Sequence, residues 1–187
     1  SAESIVMNEI RPANIDMFVD KSGNYGGFVE IYNPTDKPVR LLNMHVSDEA
    51  DNLRKFRLKA SAGVAPAKGF CVIWFDHNGG DGDFFLEADA QVPFKLDYNG
   101  GAVYISDSAG SLIAMQKYPK AASRVSWARK TDGGAEWGST AQPTPGKSNM
   151  GVTFADTQLP VPVPDTDGGF FDSSFTLHVS FPEDSQL

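Results

Sequence analysis

Cysteine is almost missing from this chain: one stands at position 71, inside "GFCVIWFD". A lone thiol cannot close an intramolecular disulfide, and no Cys or His accompanies it at metal-ligand spacing, so Cys71 reads as a small buried hydrophobe. It leaves the redox compartment open. No run approaches the roughly 18 apolar residues that a membrane helix needs, and no signal-peptide pattern is present. Clustered cations are also lacking. The densest basic stretch, Arg54-Lys55-Phe56-Arg57-Leu58-Lys59, alternates charged and apolar side chains as a half-buried strand does. With a formal net charge of −8, a nucleic-acid partner is disfavoured, because such binding draws on basic groups that neutralise phosphates. Sustained 3.6-residue periodicity and long internal repeats are absent too, which removes helical bundles and solenoids.

What is present suits short strands and tight turns. Hydrophobic residues make up 41% of the 187 residues and aromatics 11%, 13 of them Phe, so the chain can bury a core of ordinary domain size. Eighteen Gly and twelve Pro punctuate it. The first strand is expected over residues 4–10, "SIVMNEI". "FVEIYN" (28–33) alternates, with Val29 and Ile31 on one face and Phe28, Glu30 and Tyr32 on the other. "VRLLNMHVSD" places Leu42, Met44 and Val46 opposite Asn43, His45 and Ser47. "FCVIWFD" is a continuous apolar run that fits a strand covered on both faces. In "VPFKLDYNGGAVYISDSAGSLIAMQKYP", Asn99-Gly100-Gly101 reads as a hairpin turn and Asp107 to Gly110 as a second turn. Three consecutive antiparallel strands are therefore expected. Strand signals recurring about every 8–12 residues predict an all-β sandwich.

The pieces "IVMNEI", "GFVEIYNPTDKPVRLLNMHVSD", "GVAPAKGFCVIWFD", "FKLDYNGGAVYISDSAGSLI" and "SRVSWARKTDGGAEWGSTAQPTPGKSN" follow one another in an order that resembles a lamin tail domain of the bacterial, secreted kind. That family carries an N-E-I strand, a V/I-E-L/I-Y-N-P element and a closing T-P-G-x-x-N. The likeness spans residues 4–150, four-fifths of the chain, and rests on the order of individually weak motifs. It implies an immunoglobulin-like antiparallel β-sandwich over residues 1–150, a non-catalytic role, and a place outside the cell or in its envelope. Domains of this sort stand beside extracellular enzymes and adhesive domains. On this reading "PTPGKSN" is the closing seam of the domain, and Trp137 plugs the last strand.

Residues 151–169 change in composition: Pro160, Pro162 and Pro164 make an extended, semi-rigid linker. Residues 170–187, "FFDSSFTLHVSFPEDSQL", alternate like a strand. With the preceding glycines they resemble the opening of the immunoglobulin-like domain at the C-terminal side of chitobiase-type glycosidases. This implies a piece of a longer multidomain protein. Phe175, Leu177, Val179 and Phe181 would form an exposed apolar edge, so the strand is expected to dock on the main sandwich or on a neighbouring chain. The opening "SAESIVMNEI" lacks an initiator Met, as a mature or trimmed form would.

Catalytic signatures are scarce. The three histidines, His45, His77 and His178, lie in separate segments, and His45, on the polar face of a strand, reads as solvated. No G-x-S-x-G, Walker or G-x-G-x-x-G motif occurs. Glu30 and Glu9, on neighbouring strand candidates, could in principle form an acid/base pair. They read instead as structural carboxylates bonded to backbone amides or a Tyr hydroxyl, because buried polar groups are satisfied.

The loop "DHNGGDGD" offers oxygen ligands, Asp76, Asn78, Asp81 and Asp83, of the kind Ca²⁺ takes. Its spacing departs from the twelve-residue calcium loop, with Gly80 and Asp81 at the fifth and sixth positions, and a solvated acidic hairpin end is the simpler reading. Phe84 and Phe85 beside it, together with Tyr25, are the aromatics best placed by sequence to stack on a sugar; Trp74 and Trp127 read as core. The function expected is thus an interaction or spacer module contacting neighbouring domains, surface proteins or glycans. Carbohydrate or calcium-dependent recognition through residues 76–89 is the alternative.

Overall fold

The structure, a computed structural model, describes residues 5–14, 18, 23, 25–59, 63–75, 90–122, 124–155, 163, 164, 174, 176 and 178–180. Its backbone divides into two compact units, Ser1–Asp156 and Thr157–Leu187. Among the described residues there is no helix, and none could therefore cross a membrane as one.

In the first unit the strands run β1 (Val6–Arg11), β2 (Gly27–Tyr32), β3 (Val39–Arg40), β4 (His45–Ser47), β5 (Phe56–Arg57), β6 (Val64–Ala65), β7 (Phe70–Phe75), β8 (Ala90–Val92), β9 (Gly101–Ser106), β10 (Leu112–Tyr118), β11 (Ser126–Arg129) and β12 (Trp137–Thr140). They build a six-stranded sheet in the order β12-β11-β1-β2-β7-β8, a four-stranded sheet β10-β9-β4-β5, and a small β3-β6 ribbon. The pairings are antiparallel except β7 with β8. One core fills the space between the two large sheets: Met7, Ile10, Val29, Ile31, Ile73 and Phe75 from one, Val46, Val103, Ile105 and Tyr118 from the other. Each such side chain removed from water contributes about 1.5–3 kcal/mol. The chain is an all-β sandwich.

Strand β2 obeys its alternation: Val29 and Ile31 point into this core, while Phe28 joins Val72 and Trp74 in a second cluster, with Phe18 packed against it. The rings of Phe18 and Phe28, then Phe28 and Trp74, meet edge-to-face at 6.3 and 5.5 Å. Strand β7 is covered on both faces for this reason, with Cys71, Ile73 and Phe75 turned to one cluster and Val72 and Trp74 to the other. Trp74 is buried as expected, in the outer cluster. Trp127 is half-buried and leans on the main core.

Three expectations fail. Leu42 is not a core residue. The chain turns at Leu42-Asn43, Asn43 takes φ +66°, and Leu41 fills the core instead, ahead of Met44. Strand β8 does not form a hairpin with β9. It joins the other sheet beside β7, and Pro93, which has no N–H to donate, follows its last residue. Phe94 and Leu96 still reach the core, and Asp97 to Gly100 forms the turn into β9, closed by Gly100 N–H donating to Asp97 O (3.3 Å). His45 is buried at 4% exposure, not solvated. The Asp107 turn folds over it, and His45 Nδ1, 3.0 Å from the Asp107 carbonyl oxygen, must carry the hydrogen.

In the second unit β13 (Val163–Pro164) pairs antiparallel with β14 (Val179–Ser180). Two residues of the proline-rich stretch are thus strand. Phe175, Leu177 and Phe181 lie outside the described residues.

Candidate functional site

The densest polar arrangement in the described residues lies on the outer face of the six-stranded sheet, and it starts from an irregularity in β1. Met7 and Ile10 both enter the core although they are three residues apart, which strict alternation forbids. A bulge between Met7 and Glu9 absorbs the extra residue: Met7 pairs with Ile31, and the next pair is Glu9 with Glu30. Asn8 and Glu9 therefore both turn outward, beside Glu30. Two carboxyls stand directly opposite on adjacent strands, both fully buried.

The segment after β12 covers them. Thr144 N–H donates to Glu9 Oε2 (3.0 Å), with Thr144 Oγ1 3.1 Å from the same oxygen. Gly146 N–H donates to Glu30 Oε2 at 2.7 Å, and Asn8 Nδ2 donates to Glu30 Oε1 at 2.9 Å. Asn8 uses its second amide hydrogen on Asp132 Oδ1 (3.0 Å) and accepts from Gly133 N–H (3.0 Å), so one side chain bridges two acids. Asp132 Oδ1 also accepts from Asn149 N–H (2.9 Å), and Asp132 Oδ2 accepts from Ser148 Oγ. Asn149 Nδ2 returns to the sheet, donating to Asn8 O (3.2 Å) and Arg129 O (2.9 Å). Every residue written in the closing T-P-G-x-x-N except its proline thus has a bond here, and the motif seals the sheet.

Burial dominates the electrostatics. It pushes Glu30 up to about 9; neighbouring Glu9 and Asp132 add to the rise, and the bonds from Asn8 and Gly146 oppose it. Burial raises Glu9 as well, against Ser126, Thr144 and Arg11. Glu9 Oε1 and Ser126 Oγ are buried near one another without meeting hydrogen-bond geometry, and neither has another partner. The carboxyls are bonded to backbone amides and side-chain amides, not to a Tyr hydroxyl. Sealed from solvent, they form a clasp that could hold a proton.

Beneath the same seam, on the core side, Trp137 stacks on Trp127 with centroids 6.3 Å apart and planes 16° off parallel. The Arg129 guanidinium sits 4.7 Å over the Trp137 ring and donates to Met7 O (2.6 Å) and Gly134 O. Burial lowers the affinity of Arg129 for its proton. Trp137 plugs the edge of the core, and β12 is held from its other side by Ser139 and Ala155 exchanging bonds of 2.9 and 2.8 Å.

Of the residues proposed from sequence for ligands, Tyr25 is exposed at 53%, two residues before the Gly27–Phe75 pair at which β2 begins and β7 ends. It therefore stands at the end of the sheet from which residues 76–89 depart. Asp76, Asn78, Asp81, Asp83, Phe84 and Phe85 lie outside the described residues. Among the described residues, no group of three or more His, Cys, Asp or Glu is arranged to hold a metal ion. Asn8 and Asp132, central to the seam, escaped the sequence reading; the odd spacing of Met7 and Ile10 was the available signal. Neither a scan of protein-family models nor a search of curated proteins gives a match for this chain.

Proposed function

We propose that this chain is a non-catalytic, immunoglobulin-like interaction or spacer module of a secreted or cell-surface multidomain protein. One observation carries the reading. Glu9 and Glu30, the pair best suited to acid/base chemistry, are fully buried and engaged by Thr144, Gly146 and Asn8, where no substrate can meet them. The polar groups of the seam serve cohesion, which is what a module transmitting position between neighbours requires. The lamin-tail character and the extracellular setting rest on the order of motifs from "IVMNEI" to "PTPGKSN". A second reading, glycan or calcium-dependent recognition through residues 76–89, draws support from the exposed Tyr25 ring at that end of the sheet.

The test is a glycan-panel binding screen of the purified chain in Ca²⁺ and in EDTA, with melting temperatures in both buffers. The module reading expects no glycan bound and no shift with Ca²⁺, since a ligand of the native state must raise the midpoint. Binding lost in Phe84→Ala/Phe85→Ala, or lost in EDTA, would replace it with the recognition reading. Turnover of a substrate that disappears in Glu30→Gln would end the non-catalytic assignment.

A further inference from the structure

Thr144 and Gly146 of the closing segment are held by Glu9 and Glu30, while Asn149 also reaches the backbone carbonyls of Asn8 and Arg129, and the bonds to the two acids make the attachment depend on protons. We infer that residues 144–149 form a proton-operated latch: the segment stays on the sheet while the Glu9–Glu30 pair keeps at least one proton, and lifts when both ionise.

The hydrogen count supports this first. Thr144 has one hydroxyl hydrogen, yet its oxygen lies 2.7 Å from Asn149 Oδ1 and 3.1 Å from Glu9 Oε2. The shorter contact takes the hydrogen, because Asn149 spends its amide hydrogens on Asn8 O and Arg129 O and can only accept from Thr144. An ionised Glu9 would then face the Thr144 oxygen with no hydrogen between them. A proton on Glu9 completes the network.

The charges around the pair point the same way. On β1 stand Glu9 and Arg11, on β2 Glu30, and on the turn between β11 and β12 Asp132. Strand β7 presents Val72 opposite Glu30. Arg129 directs its guanidinium to Met7 O and Gly134 O, and Lys147 of the segment itself is exposed. Arg11 is the cation that acts on Glu9, and it is the weakest influence there. Double ionisation would leave Glu9, Glu30 and Asp132 as three neighbouring negative charges under a segment bonded to all of them, and desolvation makes that costly. With Glu30 raised to about 9, the transition belongs to the mildly alkaline range.

The segment has a place to bend. Gly146 takes φ +77°, and a Cβ added there would meet nothing within 4 Å, so the backbone is unobstructed at the residue whose N–H holds Glu30.

Amide hydrogen exchange on the full chain, read by NMR from pH 6 to 10 and corrected for the intrinsic rate, tests the latch. The Thr144 and Gly146 amides are expected to lose protection about tenfold or more as pH passes 9, while Val29, Ile31 and Ile73 keep theirs. In Glu9→Gln, which cannot form the second charge, the Thr144 and Gly146 protection should stay flat. Constant protection of these two amides in the wild type, loss in step with the core strands, or an equal loss in Glu9→Gln would each overturn the proposal. Should Glu9→Gln fail to fold, the wild-type titration decides.

Discussion

Asn33 shows how much one polar side chain can organise. Fully buried at the end of β2, it shares its two amide hydrogens among Lys37 O (2.7 Å), Ala65 O and Pro66 O (both 3.0 Å), and accepts from Thr35 N–H (3.0 Å) and Oγ1 (2.7 Å). It does for the β3-β6 ribbon what Asn8 and Asn149 do for the closing seam. An amide suits the task because it carries donors and acceptors on one planar group and no charge to desolvate. Asn33→Ala leaves buried carbonyls without donors, and the expected loss is about 2–4 kcal/mol in urea unfolding. Asn33→Asp should cost at least as much, since it removes the donors and adds a buried charge. A loss under about 0.5 kcal/mol for either would show that the ribbon is held by other means.

At the scale of elements, the bulge in β1 is the decisive feature. Without it, Met7 and Glu9 would share a face, and either a methionine would leave the core or a glutamate would enter it. Deleting Asn8 takes out the extra residue, so Met7, Glu9 and Ile10 can alternate inward, outward and inward on an even ladder, and the bridge between Glu30 and Asp132 is lost. The deletion is therefore expected to cost about what Asn8→Ala costs, at about 1–3 kcal/mol, because both lose that bridge. A deletion variant that unfolds far more easily than Asn8→Ala would mean that the bulge itself, and not only the Asn8 side chain, holds the seam. The edges of the sheets are managed too. Strand β10, at one edge with Leu112 and Met115 exposed, is irregular between Leu112 and Ala114 and carries Lys117, both of which blunt pairing with another chain.

For the whole molecule, the buried acids set the response to pH. Glu30 has an ordinary value of 4.5 and is raised to about 9 in the fold, and Glu9 is raised as well. Between these limits the folded chain holds protons that the unfolded chain has released, so stability falls as pH rises. It is fully present below about 4.5 and lost by about 9 as far as this group is concerned. Melting temperatures should accordingly decline from pH 5 to pH 9. Glu9→Gln should flatten that decline, because it removes one of the two raised carboxyls and with it the negative charge that helps to raise Glu30. A wild-type midpoint that rises across this range would mean the pair is ionised in the native state. The exposed Glu49, lowered by its bond to Lys55, acts at lower pH and does not obscure the window.

The sequence by itself determined the class of fold. The alternation in "FVEIYN", the two-sided apolar run "FCVIWFD" and the spacing of glycine and proline left little but a β-sandwich, because side-chain direction along a strand depends only on local geometry. It also marked "PTPGKSN" as a seam, and Glu30 as a carboxylate with a structural task. Only the tertiary structure decided which strands are neighbours: β8 sits beside β7 and not in a hairpin with β9, since Asn99-Gly100 can close a turn without two strands flanking it. From sequence His45 reads as solvated, because the turn that buries it comes 62 residues later. The partners that the seam holds escaped for the same physical reason. Its bonds join Asn8 and Glu9 to residues 124 to 141 positions away, and no local pattern records a contact made across that distance.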